Sequence, residues 1–184
     1  MIRLIVSDID GTLVPEGGSR VNPEYMDVIR ELTGMGVEFA AASGRQASSI
    51  DAVFREVSDR IYYLSDNGAY IQRYQVPARE VRMCETDVTA LLREAEEIED
   101  CHILLSTKDG YYTNDTSEAF YRLVFEQYKG TGAVVERAAD YASECIKLSL
   151  FSDRGSLYLH DLLYERWKER FSVNISGSNL MVIY

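Results

Sequence analysis

The sequence predicts a mixed α/β protein in two parts. Residues 1–80 read as a parallel-sheet α/β unit, and residues 81–184 as an α+β unit with an antiparallel sheet. Three observations carry this. Residues 1–65 alternate short apolar runs with stretches of helical periodicity, β-α-β-α-β, and parallel strands need crossovers of that kind. Beyond residue 80 the apolar runs come in pairs with turn residues between them, the way antiparallel strands are joined. The length of 184 residues, with 46% hydrophobic residues, suffices for one large domain or two small ones.

Each element follows from its local pattern. Residues 2–8, rich in Ile, Leu and Val, suit a strand buried on both faces. A loop with Gly17 and Gly18 follows, then Asn22-Pro23 as an N-cap and first-turn proline. Met26, Ile29 and Leu32 form a helical stripe that stops at Gly34 and Gly36. "VEFAAAS" (37–43) is a second strand, and Ile50, Val53, Phe54 and Val57 mark a second helix. "IYYLS" (61–65) is a third strand, and "AYIQRY" and "AREVRM" form a hairpin around Gln75–Pro77.

In the second part, Thr86 is placed to cap a helix carrying Val88, Leu91, Leu92 and Ala95. "CHILLSTK", Asp109-Gly110 and "YYTN" make a hairpin. A helix near 117–129 holds Phe120, Leu123, Val124 and Tyr128, and "AVVERA" reads as a short strand. "CIKLSLFS" alternates, which predicts one buried and one open face. A helix near 156–170 carries Leu159, Leu162, Leu163 and Trp167, and "FSVNIS" with "NLMVIY" closes a last hairpin.

Composition narrows the function. A net charge of −11, from 30 acidic and 19 basic residues, disfavours nucleic acid and anionic membrane as partners. An anionic small substrate stays open, because a bound metal inverts the local field. The three cysteines, Cys84, Cys101 and Cys145, are widely spaced, so neither a zinc cluster nor a disulfide framework is expected; they read as reduced, mostly buried thiols. No signal-like run and no apolar stretch of about 18 residues is seen, and the expected location is the cytoplasm. His102 and His160 read as isolated, and the tyrosine pairs and Trp167 as core residues.

The chemistry concentrates in "IRLIVSDIDGTLV". Asp8 and Asp10, at i and i+2 in an extended chain, point the same way about 7 Å apart and can converge on one ligand. They stand at the C-terminal edge of a parallel sheet, where such folds bind ligands. Gly11 allows a sharp turn, Thr12 adds a hydroxyl, and the turn is expected to offer backbone N–H groups to an anion. The second strand delivers Ser43, Gly44 and Arg45: a hydroxyl, a close approach of backbone, and a cation. Together these residues describe a site for a hard cation and a phosphate.

"DIDGTLV" with "AASGR" resembles the haloacid dehalogenase (HAD) superfamily of phosphatases. "SDNGA" and the α+β region after it resemble its Cof-like branch, with a large type IIB cap inserted after the third core strand. The implied fold is the N-terminal half of a HAD-like Rossmannoid parallel-sheet core (1–80) plus an α+β cap domain (81–184). The resemblance implies roles. Asp8 matches the nucleophile that forms an aspartyl-phosphate, and Asp10 the acid and base that moves the proton. Asp8 and Asp10 match Mg²⁺ ligands, and Gly11, Thr12, Ser43 and Gly44 phosphate binders. Arg45 and Asn67 are placed to face a substrate.

The family also uses a lysine in a third motif and a G-D-x-x-N-D-type fourth motif. No Gly-Asp pair occurs here, and Lys147 lies in the cap strand "CIKLSL", so the rest of the core is expected to be absent from this chain. Its first strand would then be an edge, open to pairing with another copy. The expected function is a Mg²⁺-dependent phosphatase acting on a small phosphorylated metabolite. The alternative is an incomplete or non-enzymatic metal- and phosphate-binding form that needs a partner or the missing C-terminal segment. A phosphotransferase or phosphomutase would use the same first motif.

Overall fold

The computed structural model describes residues 1–15, 20–73, 76–127 and 130–184. Four residues named above, Gly17, Gly18, Gln75 and Tyr128, lie outside the described residues, as does the Tyr74 that ends "AYIQRY". The chain forms two compact units, Met1–Val81 and Arg82–Tyr184.

In the first unit β1 (Leu4–Asp8), β2 (Glu38–Ala42) and β3 (Tyr62–Ser65) run parallel. β4 (Tyr70–Arg73) and β5 (Val76–Glu80) add antiparallel strands, in the order β1-β2-β3-β4-β5. Strand β5 begins at Val76, so Pro77 belongs to the edge strand rather than to the turn; an edge tolerates its missing N–H. Helix α1 (Pro23–Gly34) starts where Asn22 accepts the N–H of Glu24 on its side chain, with Pro23 in the first turn. It ends before Gly36, whose φ of +80° is easiest for glycine. Helix α2 (Ala47–Val53) runs into a 3₁₀ turn, Arg55–Val57.

Met26 and Ile29 of α1 and Ile50 of α2 share one core with Ile5, Phe39, Ala41 and Tyr63 of the sheet. Each of the larger apolar side chains that is fully buried there, such as Ile29 and Ile50, contributes about 1.5–3 kcal/mol. Both helices therefore cover the same face of the sheet, as right-handed crossovers running in one direction require. This overturns the expectation that residues 2–8 are buried on both faces. Leu4 and Val6, on the opposite face, are 53% and 52% exposed. Among the described residues β1 pairs only with β2, and stands at the edge of its sheet.

The second unit holds a six-stranded sheet. Its strands are β6 (His102–Ser106), β7 (Tyr111–Thr113), β8 (Gly132–Val134), β9 (Lys147–Phe151), β10 (Val173–Ile175) and β11 (Leu180–Ile183), in the order β10-β11-β9-β6-β7-β8. All pairs are antiparallel except β7 with β8. Helices α3 (Glu85–Glu96) and α5 (Ser156–Trp167) bury Leu91, Leu92, Leu159, Leu163 and Trp167 against one face. Trp167 donates its indole N–H to Glu94 at 2.9 Å, tying the helices together.

Four local expectations are corrected. The N-cap of α3 is Cys84 rather than Thr86, and no side chain caps it. Leu162 is exposed; the buried stripe of α5 runs through Leu159, Leu163 and Trp167 at helical spacing. The 117–129 helix is a short α4 (Glu118–Tyr121), capped by Ser117, that widens into a π-helix over Arg122–Gln127. Finally, β9 is buried on both faces. The cover on its second face comes from that α4–π segment, whose Phe120 and Val124 pack on Leu104, Tyr111 and Phe151. Cys145 is buried but Cys84 is exposed, so the thiols are less uniformly buried than expected. Burial pushes the partly buried Cys101 thiol up to about 12, aided by the Asp100 charge.

Candidate active site

Three loops meet at the C-terminal ends of β1, β2 and β3. The first begins at Asp8, the last residue of β1. Ile9 turns into the core, fully buried, and its carbonyl accepts the N–H groups of Thr12, Leu13 and Val14 at 3.3, 3.0 and 2.8 Å. The Gly11 N–H goes to the Val14 carbonyl at 2.8 Å, and Gly11 has a φ of +79°. The N–H groups of Gly11, Thr12, Leu13 and Val14 are thus taken within the turn. This corrects the expectation that Gly11 and Thr12 offer free N–H groups to an anion. Thr12 instead contributes its hydroxyl, which donates to Asp8 Oδ2 at 3.3 Å.

The second loop carries Ser43, Gly44 and Arg45. Ser43 is buried and its N–H is held by the Leu64 carbonyl at 2.9 Å. Its hydroxyl donates to Asp10 Oδ2 at 3.3 Å and accepts the N–H of Arg45 at 3.0 Å. Arg45 grips the same carboxylate twice, Nε on Oδ2 at 3.0 Å and Nη2 on Oδ1 at 2.6 Å. This two-pronged geometry is the strongest that a carboxylate makes with a side chain cation. The pair is partly exposed, 30% for Arg45 and 53% for Asp10, which limits its worth to stability.

The two aspartates therefore have different partners. Asp8 takes a hydroxyl from its own turn, and Asp10 takes a hydroxyl and a guanidinium from the next strand.

The third loop is Asp66-Asn67-Gly68. All three residues have positive φ, 49°, 59° and 88°. Asp, Asn and Gly are the residues that adopt this left-handed region most readily. The run folds the chain back so that Asp66 N–H reaches the Arg45 carbonyl at 2.9 Å and Asn67 N–H the Ser43 carbonyl at 3.2 Å. Asn67 lies against Gly44, where an added Cβ would stand 3.2 Å from its Oδ1. Asp66, buried and missed as a site residue, belongs to the scaffold under Ser43 and Arg45. The signal for it was present: three successive residues tolerant of a left-handed backbone.

Of the predicted residues, then, Asp8 meets Thr12, Asp10 meets Ser43 and Arg45, and Gly44 meets Asn67. The donors are hard oxygens. Among the described residues no group of three or more His, Cys, Asp and Glu side chains is arranged for a metal. One or two carboxylates, with water and phosphate oxygens making up the rest, is nevertheless the set Mg²⁺ accepts, so the residues fit that ion.

Elsewhere, His102 is not isolated. Its Nδ1 meets Asp115, its Nε2 lies 3.9 Å from Asp100, and its ring stacks on Phe120.

Residues 5–184 match the family model described as haloacid dehalogenase-like hydrolase. The chain belongs to this family. Among curated proteins it is similar to the 5-amino-6-(5-phospho-D-ribitylamino)uracil phosphatase YbjI of Escherichia coli, 27% identical over 70 residues. That match spans 38% of this chain and 26% of the length of the relative. Among solved structures, one from Eubacterium rectale superposes with a TM-score of 0.83 at 25% identity, covering 99% of this chain and 70% of that one. A haloacid dehalogenase-like hydrolase from B. subtilis gives 0.81 at 17% identity, covering 99% and 73%. The fold of this HAD-like protein is thus a Rossmann-like core with a cap, the mixed α/β class read from the sequence. Among the described residues no helix is long and apolar enough to cross a membrane.

Proposed function

We propose that this HAD-like chain is a phosphatase that hydrolyses a small phosphorylated metabolite, with Asp8 as nucleophile and Asp10 as the proton carrier. The observation that supports it best is the set of side chains brought to one sheet edge. Asp8 stands at the end of β1 beside Thr12, and Ser43 and Arg45 come from the end of β2 to Asp10. In this reading Asp8 attacks phosphorus, a new P–O bond forms, and the ester P–O bond breaks. Asp10 gives a proton to the leaving oxygen and later takes one from the water that releases phosphate. Thr12, Ser43 and Arg45 supply donors to the phosphoryl oxygens, where charge must be held in the transition state. Asp8 and the backbone carbonyl of Asp10 are the groups that would hold Mg²⁺, which when bound supplies positive charge toward the phosphoryl group. Residues 82–184 act as the cap that selects the leaving group, and the expected location is the cytoplasm.

The test is release of inorganic phosphate from an aryl phosphate in magnesium-containing buffer. Asp8→Asn should lower turnover about a thousandfold or more, since it removes the nucleophile. Equal turnover in wild type and variant excludes Asp8 from that role. A second reading is a form that binds metal and phosphate without turnover. It predicts phosphate binding with no release from any ester.

A further inference from the structure

We infer that the Arg45 guanidinium is shared between two mutually exclusive partners, the Asp10 carboxylate in the free protein and the phosphoryl group of a bound substrate. Substrate binding would thereby release Asp10. The inference rests on the phosphatase reading and adds an order of events to it.

The geometry carries it. Arg45 spends the Nε–Nη2 edge of its guanidinium on both oxygens of Asp10. That edge is the one a phosphate would take in the same two-pronged way. One edge cannot serve two anions. Ser43 is divided in the same manner, since its hydroxyl proton points at Asp10 Oδ2. The Nε–Nη2 edge of Arg45 and the Ser43 hydroxyl, the two-pronged and hydroxyl donors of the β2 loop, are thus already committed to Asp10. An arriving dianion has to outcompete one carboxylate for both. Once it does, Asp10 loses its two partners from the β2 loop and is free to turn toward the reacting oxygens. The scaffold allows the exchange without rebuilding. The carbonyls of Ser43 and Arg45 are held by Asn67 and Asp66, so the loop backbone stays while the two side chains change partner. Arg45 and Asp10 are partly exposed, which leaves room for that movement.

The arrangement makes an unusual prediction. Asp10→Asn removes the competitor, so phosphate should bind more tightly through Arg45. Relief of simple charge repulsion predicts tighter binding too, but without Arg45 as intermediary. A double-mutant cycle separates them. The dissociation constant of inorganic phosphate is measured by calorimetry in magnesium-containing buffer for wild type, Asp10→Asn, Arg45→Gln and the double variant. Asp10→Asn is expected to tighten binding about two- to fivefold, the upper part of the range for a partly exposed pair. In the Arg45→Gln background the same change should give less than about twofold. Arg45→Lys, which keeps the charge without the flat edge, should fall between wild type and Arg45→Gln. Thermal unfolding of each variant confirms that it is folded.

An equal gain from Asp10→Asn in both backgrounds overturns the sharing of Arg45 and leaves the phosphate site standing. Weaker binding in Asp10→Asn overturns it as well. No phosphate binding by any of the proteins overturns the phosphate site and this inference together.

Discussion

Asn67 can be present for its side chain or for its backbone, and two substitutions tell these apart. Its φ and ψ of 59° and 27° place it in the left-handed region between Asp66 and Gly68, which are also left-handed. A residue with a Cβ costs about 1–2 kcal/mol there, asparagine less because its short polar side chain bonds locally. Asn67→Ala should therefore destabilise the protein by about 1 kcal/mol. Asn67→Gly removes the steric cost but adds freedom to the unfolded chain, about 0.5–1 kcal/mol, and so should stay within about 0.5 kcal/mol of wild type. For a unit of this size 1 kcal/mol is about 4–8 °C in Tm. Thermal unfolding by circular dichroism reads that gap directly. The consequence for the site follows from the bond that Asn67 N–H makes to the Ser43 carbonyl. If the backbone is what counts, Asn67→Gly keeps phosphate release and Asn67→Ala loses part of it, in step with the stability gap. Equal stability of the two variants refutes the conformational argument. Equal loss of activity with no gap in stability instead makes Asn67 a substrate contact.

Two further expectations follow from the structure. Asp100 accepts the Ser152 hydroxyl and the Arg154 N–H, and chiefly the Ser152 bond holds its carboxyl below the ordinary carboxylate range. A carboxyl whose folded value is depressed adds stability that is present above its unfolded value, about 4, and is lost as pH falls through the folded one. The Tm gap between wild type and Asp100→Asn should hold constant above about pH 5 and close in more acid solution; a gap independent of pH refutes this. The open edge of β1, with Leu4 and Val6 exposed, is expected to pair with a second copy. Sedimentation should show self-association that Val6→Lys suppresses, because a charged residue on an edge strand opposes pairing; a wild type that stays monomeric at all concentrations sinks it.

What the sequence disclosed and what it hid divide along physical lines. Helical stripes such as Val88, Leu91, Leu92 and Ala95 are set by residues a turn apart, and they are buried as read. The hairpin at Asp109-Gly110 is equally local: Thr107 takes both turn N–H groups on its hydroxyl. The hidden features depend on distant chain. The second face of β9 is covered by Phe120 and Val124, and nothing within "CIKLSLFS" announces that. The open face of β1 has the same apolar letters as a buried one; only the helices, both on the other side, decide it. In the site, Asp8, Asp10, Ser43 and Arg45 were legible as chemistry, but the grip of Arg45 on Asp10 joins residues 35 positions apart. Asp66 could be read only once three left-handed residues in a row were seen to carry the loop beneath Ser43.

The hydrogen bonding of the first turn has a consequence for how this HAD-like site would recognise an anion. In a glycine-rich phosphate loop the backbone N–H groups do the binding, so most side chains can change without loss. Here the N–H groups of Gly11, Thr12, Leu13 and Val14 are all taken by carbonyls inside the turn. In the proposed reading the side chains placed to meet an anion are the hydroxyls of Thr12 and Ser43 and the guanidinium of Arg45. Each of these is already bonded to one of the two aspartates. The acids and these donors thus form two hydrogen-bonded sets, Thr12 with Asp8, and Ser43 and Arg45 with Asp10. If this site takes a phosphate as proposed, its binding would be coupled to the mobility of Asp8 and Asp10. A change at any of the three donors should alter both affinity and turnover, rather than affinity alone.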